Sequence, residues 1–483
     1  MQPAGFGFEN TLILIGYLLV MVLIGLFFSR KQKSTEDFFL AGRRMPWLPV
    51  AMSMYASLTS AVTYMGLPGL AYRSNVTLIV VAVVSPLLAP ILIFLFYPVY
   101  RRHRVTTSYE YIGIRFGLSA RRVASGLFLL GRLGWLGTVV YAPALALSVV
   151  SGMPMAWAIL IIGLVATLYT VLGGLSAVLW TDVAQFVILV GGAIWVAVTL
   201  CGAVPDGLSG ILHVAREQDH LQLDWKISLF RMSAVVVAVS FFFQMMQDYG
   251  TDQVTVQRLL AVRTYKGMAK AVVFNAVTDS VLISILLFIG LGIFAFYTQF
   301  PALQPAEAAG DRIFPYFIMH QLPNGISGLL VAAIFAAAMS SLDSGLNSLA
   351  TVIVHDFCRP LRRAPCSEQH DLMLARGLTL ALGVTATGVA FFVSGMEGIV
   401  EAFATFMSLF SAPVLALFLL GMLTRRGRFS AWCAGVTVSV PATWILQRYT
   451  EVNWVYYFPF SFLVCFSIAW FISCLSRKEV DGE

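Results

Sequence analysis

Runs of about 20 apolar residues recur from one end of this chain to the other. Each is long enough to cross a bilayer as a helix, and in lipid only helices and closed barrels satisfy their own backbone. The composition agrees. Of 483 residues, 59% are hydrophobic and 11% charged, which is not the balance of a soluble domain. The expected fold class is an all-α polytopic membrane protein. About 13 runs qualify, near residues 9–29, 47–72, 75–100, 120–150, 154–173, 178–203, 229–252, 268–298, 324–356, 374–396, 400–422, 430–448 and 454–475. No cleavable leader is expected. The run at 11–28 is too long for the apolar part of a signal peptide, and no small-residue cleavage site follows it.

Lysine and arginine collect in alternate loops. Arg43 and Arg44, Arg101 and Arg102, Arg258 and Arg263, Arg359 and Arg376, Arg425 and Arg426, then Arg477 and Lys478 fall on one side. Few basic residues, among them Arg73, Arg216 and Arg312, fall on the other. The positive-inside rule places the first set in the cytoplasm. The N-terminus is then outside and the C-terminus cytoplasmic, in a plasma or inner membrane. The net charge of +7 is read as this topology signal. Basic residues divided among short loops do not make a nucleic-acid surface. The six cysteines show no metal spacing, and Cys358 and Cys366 fall in a predicted cytoplasmic loop where a structural disulfide is not expected.

One run differs from the rest. Residues 328–350 begin as a bland helix of small residues, then bring Ser340, Ser341, Asp343, Ser344, Asn347 and Ser348 within a few turns. Helical spacing puts Ser340, Asp343, Ser344 and Asn347 on one face. Hydroxyls and a carboxylate at membrane depth need partners, water or an ion. Either they serve a hard cation, or the small residues serve helix packing and the hydroxyls bond back to the backbone.

Residues 46–69 place Ser53, Ser57, Thr59, Ser60 and Thr63 mid-span, followed by Gly66, Pro68 and Gly69. This pattern suits a helix interrupted at the midplane, whose freed carbonyls can hold a cation or solute. A Pro-Gly kink near one end is the other reading. Residues 241–250 carry Gln244, Gln247 and Asp248 on an apolar stripe before Gly250, and a second break is expected there. Asn275 and Asp279 share a face of the next helix. Arg132 lies deep in its run, where it must meet a cavity, a carboxylate or water, or else snorkel to the interface. Gly131, Gly134 and Gly137 beside it favour close helix packing. Asp182 follows a turn at Gly173-Gly174; it either caps a helix or faces a cation as a buried carboxylate.

Two groups of five spans, 47–203 and 229–422, each begin with an interrupted polar helix. An odd number of spans per group forces opposite orientations, as in the inverted repeats of secondary transporters. Residues 1–46 would be a peripheral helix and cytoplasmic loop, 204–228 an extracytoplasmic loop, and 423–483 two peripheral helices with a tail. No Walker motif or catalytic signature is present, so neither ATP hydrolysis nor an enzyme is expected.

Five motifs resemble the sodium:solute symporters: Asp37-Phe-Phe-Leu-Ala-Gly-Arg-Arg44, Ser60-Ala-Val-Thr-Tyr-Met-Gly-Leu-Pro-Gly69, Gly173-Gly-Leu-Ser-Ala-Val-Leu-Trp-Thr-Asp182, Asp252-Gln-Val-Thr-Val-Gln-Arg258 and Ala336-Ala-Ala-Met-Ser-Ser-Leu-Asp-Ser344. They stand in family order along most of the chain, closest to the sialic-acid and monocarboxylate/multivitamin branches. The resemblance implies a LeuT-like 5+5 core and Na+ as coupling ion, with no organic cofactor. It implies a Na+ site at the carbonyls of Ala56, Thr59 and Ala337 and the hydroxyls of Ser340 and Ser341. It implies a second site for Na+ or a proton at Asp182, Asp343 and Ser344, where Asp343 departs from the expected hydroxyl. Ser60 and Thr63 match positions that hold a substrate carboxylate. Arg132, Trp135 and Gln247 complete the expected solute set, whereas Leu78 and Ala82 replace polar or aromatic positions of the sialic-acid branch.

The reading is a Na+-coupled symporter importing a small organic anion, sialic-acid-like or monocarboxylate-type, by alternating access. The alternatives are a Na+-coupled sugar or amino-acid symporter, a channel, or a transporter-like membrane sensor. The short segments before residue 11 and after Arg477 speak against the sensor. The expected partners are Na+, the small solute and the lipid bilayer.

Overall fold

The computed structural model describes residues 7–29, 39–103, 105–172, 175–305, 310–323, 325–361, 368–396 and 398–475. The Gly173-Gly174 turn, Asp37, Phe38, Cys366, Arg477 and Lys478 lie outside the described residues. Helices form the described chain; it contains no β-strand, only an isolated bridge between Met45 and Val262.

The helices run in order as α1 (Phe8–Ser29), α2 (Trp47–Leu58), α3 (Ala61–Arg73), α4 (Val80–Ile91), α5 (Ser108–Phe116), α6 (Leu118–Ser151), α7 (Met155–Leu172), α8 (Leu175–Ala203) and α9 (Gly207–Glu217). Then come α10 (Ala234–Gly250), α11 (Gln253–Ala261), α12 (Tyr265–Gln299), α13 (Ile313–Gln321), α14 (Ile326–Val352), α15 (Glu368–Val393), α16 (Ile399–Leu423), α17 (Phe429–Tyr449) and α18 (Tyr457–Leu475). Among the described residues, nine helical stretches are long and apolar enough to cross a membrane. Shorter apolar segments lie in α1 and α7. The remaining expected spans, 47–72 and 229–252, correspond to the interrupted pair α2/α3 and to α10.

α14 is the axis of the assembly. Every residue from Leu330 to Val352 is buried. Its alanines keep the helix thin, so α1, α2, α3, α6, α7, α8, α11 and α15 all reach it. α1, expected as peripheral, is fastened to this axis at one end. The buried Asn10 side chain accepts the backbone amides of Gly325 (2.8 Å) and Gly328 (3.0 Å), satisfying donors that the start of α14 leaves open.

The glycines of α6 serve packing. A Cβ on Gly134 would lie 2.2 Å from the ring of Phe406 on α16, and one on Gly137 would lie 2.5 Å from Val389 on α15. This close approach seats the Arg132 stretch of α6 directly against α15 and α16. α17 and α18 pack mainly on each other and on α16, outside the ring of helices around α14.

Candidate ion and solute site

Two helix breaks face the interior. Between α2 and α3, Thr59 leaves helical geometry (φ −82°, ψ 88°). The Ser60 amide, which would close on Ala56 in an unbroken helix, donates to the Leu58 carbonyl instead (3.1 Å). Ser60 then caps α3, its Oγ accepting the Val62 amide at 3.2 Å. Between α10 and α11 the same device recurs. The chain turns at Thr251, and Asp252 caps α11 by accepting the Val254 amide at 2.8 Å. The Ser/Thr-rich run at 53–63 is thus a broken helix, and so is the stretch ending at Gly250.

α14 meets the first break through its hydroxyls. Ser341 Oγ donates to the Ser57 carbonyl at 3.0 Å. Ser340 Oγ donates to Asp182 Oδ1 at 2.6 Å. Ala56 and Thr59 lie on the break and Ala337 one turn before Ser341, all three buried. The residues offer carbonyls and hydroxyls without formal charge, a donor set suited to a weakly held Na+.

Asp182 is not a helix cap. It sits in the interior of α8 with no exposure. Its Oδ2 accepts Ser53 Oγ (2.5 Å) and Ser57 Oγ (3.2 Å), and the guanidinium of Arg258 pairs with it at 3.2 Å. Arg258 also donates to Ser53 Oγ at 2.8 Å and to Ser344 Oγ, while Ser344 and Ser57 share a hydrogen bond of 2.7 Å. Arg258 therefore does not belong to a basic cytoplasmic loop. It is 1% exposed on α11, whose residues are all buried between α2 and α14. The Arg258 guanidinium thus lies against both Asp182 and Ser344.

Asp343 makes a further contact on α7, where Thr170 donates to its Oδ1. Asn347, the remaining polar residue of that face, accepts from Gln257 of α11 at 2.9 Å.

Arg132 does not snorkel. It is 2% exposed, stacks on Trp135 with its guanidinium carbon 4.1 Å from the ring centroid, and forms an ion pair with Asp252. Gln247 donates to Asp252 Oδ2 at 3.3 Å. Arg132, Trp135 and Gln247 thus meet at the second break, and none of them lines the solute-sized cavity.

That cavity, about 140 Å³, lies between the α2/α3 break and helices α10 and α12. Thr59 and Thr63 line it from the first break, and Leu78, expected as a departure, lines it too. Its polar wall opposite comes from Gln244, Asp248, Tyr249 and Asp279. Asp279 accepts Ser85 Oγ (2.9 Å) and Tyr249 Oη (2.6 Å), while Asn275 on the same helix donates to the Ala51 carbonyl of α2 at 3.0 Å. Ser60 is buried beside the cavity as the α3 cap and does not line it.

Residues 38–435 match the family model described as SSF, the sodium:solute symporter family. The chain belongs to the sodium:solute symporter family. It is 31% identical to the sodium/sialic acid symporter SiaT of Proteus mirabilis, over 95% of this chain and 93% of the relative. It is 34% identical to the sodium-dependent multivitamin transporter of Oryctolagus cuniculus, over 86% of this chain and 67% of the relative. Among solved structures, a Na+-coupled sialic acid symporter in a substrate-bound outward-open state, described as revealing a novel Na+-site, superposes with a TM-score of 0.91. That match has 29% identity and covers 98% of this chain and 99% of the other. The fold is LeuT-like, a membrane-transporter architecture built around two interrupted helices.

Sequence reasoning missed Arg258, Thr170 and the carboxylate wall of this symporter's cavity as site residues. Arg258 had a readable signal. Val254, Leu259, Leu260 and Ala261 surround it with apolar residues at helical spacing, the mark of a buried helix rather than a loop.

Proposed function

We propose that this family member couples Na+ entry to the import of a small carboxylate-bearing solute by alternating access. Na+ binds at the carbonyls of Ala56, Thr59 and Ala337 with the hydroxyls of Ser340 and Ser341. The support is the α2/α3 break, which frees carbonyls where α14 presents its two adjacent serines. Na+ there ties α14 to the broken helix. Inward passage of each charge contributes about 2.3 kcal/mol at a potential of 100 mV.

The solute occupies the cavity beside the break. One observation carries the carboxylate assignment: α3 starts at the cavity, with Val62 and Thr63 of its first turn in the lining. The start of a helix carries partial positive charge and open amides, which favour an anionic group. Ser60 orients this turn through its cap, and Thr63 supplies a hydroxyl. The relatives named for sialic acid and vitamins are consistent with such a solute. Arg132, Trp135 and Gln247 act one layer away, holding the second break closed around Asp252.

At Asp182 and Ser344 we assign the cation to the protein itself. The Arg258 guanidinium already neutralises the carboxylate there. Of Asp182 and Asp343, the latter, whose Oδ1 accepts the Thr170 hydroxyl, is the carboxylate that we assign to a proton.

Na+-driven uptake into proteoliposomes tests the first site. Ser340→Ala combined with Ser341→Ala is expected to abolish Na+-dependent uptake; unchanged uptake would sink the site assignment. Competition by carboxylate-bearing solutes but not by glucose is expected for a carboxylate-binding cavity.

A further inference from the structure

The cavity is acidic, and its charge balance narrows the solute further. Among the described residues lining it are two carboxylates, Asp248 and Asp279, and no lysine, arginine or histidine. Arg132, the arginine within reach by sequence, is engaged by Asp252 and stacked on Trp135. Asp279 receives hydrogen bonds from Ser85 and Tyr249. Asp248 receives none from any described residue. Gln244 stands one turn earlier on the same face of α10, is 5% exposed, and likewise has no hydrogen-bond partner among the described residues.

A carboxylate and an amide that face the cavity without protein partners among the described residues are available to hydrogen-bond a solute in it. The shared need is specific. Asp248 has no hydrogen-bond donor among the described residues, and Gln244 offers a carbonyl oxygen that can accept. An ammonium group provides three N–H donors and a charge opposite to the carboxylate's.

We infer that the transported solute bears a protonated amine as well as a carboxylate, and that Asp248 with the Gln244 amide oxygen receives that amine. The inference rests on the carboxylate reading above and extends it. The solute lies with its carboxylate at the first turn of α3, near Thr63, and its ammonium at α10. Asp279, held by Ser85 and Tyr249, adds negative potential behind the ammonium. A zwitterion enters such a cavity without adding net charge, whereas an anion lacking the amine meets two carboxylates and no counter-charge.

The test uses labelled pairs that differ only in the amine: alanine and propionate, 4-aminobutyrate and butyrate, and the 2-methyl glycosides of neuraminic acid and its N-acetyl form. Putrescine serves as an amine without carboxylate. Na+-driven uptake, and thermal stabilisation of the purified protein by each compound in Na+, are measured for wild type, Asp248→Asn and Gln244→Leu. The expected result is that amine-bearing members are preferred roughly tenfold to hundredfold, with the preference falling about tenfold in Asp248→Asn. Asp248→Glu is expected to restore part of it, which separates a lost charge from a misfolded variant.

Equal handling of both members of every pair overturns the inference and leaves the carboxylate reading standing. A preference that survives both Asp248→Asn and Gln244→Leu overturns the residue assignment. Binding of putrescine alone keeps the amine at Asp248 and removes the carboxylate reading. Failure of the whole set to bind counts against both.

Discussion

Asp182 of α8 and Arg258 of α11 form an ion pair at 3.2 Å with the two side chains 0% and 1% exposed. Both are bound further by serines of α2 and α14, so the pair ties four helices at the centre of the protein. A buried pair of this kind adds little net stability over an apolar substitute, yet losing one partner leaves an uncompensated charge. Asp182→Asn is therefore expected to cost about 3–5 kcal/mol. The double variant Asp182→Asn with Arg258→Gln should recover much of that loss. Thermal unfolding in detergent reads both, and simple additivity of the two single losses would contradict the pairing.

Arg258→Gln has a second expected consequence. Without the guanidinium, Asp182 keeps hydroxyls from Ser53, Ser57 and Ser340, with Ser344 beside them, which is an anionic all-oxygen site. Such a site suits Na+. The Na+ dependence of uptake should steepen, its Hill coefficient moving from about 1 toward 2 as a second ion becomes involved. An unchanged slope would mean that Arg258 does not stand in for a cation.

Arg132 gives a sharper kinetic prediction. Its partner is Asp252, at the second helix break, and it does not line the cavity. Arg132→Leu should lower the maximal rate strongly while changing the solute KM by less than about threefold. A large rise in KM with the maximal rate preserved would place the guanidinium on the solute instead.

Gly134→Val tests the packing that holds α6. The added side chain starts 2.2 Å from Phe406 and must displace it. Overpacking of this sort is expected to cost about 1–3 kcal/mol. Phe406→Ala in the same chain should relieve part of the loss, which a thermal-unfolding comparison of the three variants would reveal.

Much of the site was legible in one dimension. Ser53 to Thr63, Gln244 to Gly250 and Ser340 to Ser348 are polar clusters inside apolar runs, and lipid makes such clusters expensive enough to announce a function. The first break falls inside its cluster, at Thr59 and Ser60, and the second just after its cluster, at Thr251. The helical wheel also put Ser340, Asp343, Ser344 and Asn347 on one face, but it could not divide that face among neighbours. In the fold, three helices meet there: Ser340 and Ser344 turn to the Asp182–Arg258 network, Asp343 to Thr170 of α7, and Asn347 to Gln257 of α11.

The sequence by itself determined the class of protein, its interrupted helices and the oxygen-rich positions along α14, because burial in lipid leaves a direct record in hydropathy and spacing. Only the tertiary structure decided which charges meet. The helical spacing around Arg258 marks burial but not the Asp182 that pairs with it, and Arg132 announces a need for a partner without naming Asp252. Asp248 and Asp279 become one cavity wall only when α10 and α12 close on the first break. Charge pairing is a property of distance in space, and residues far apart along a chain carry no local mark of the partner that will neutralise them.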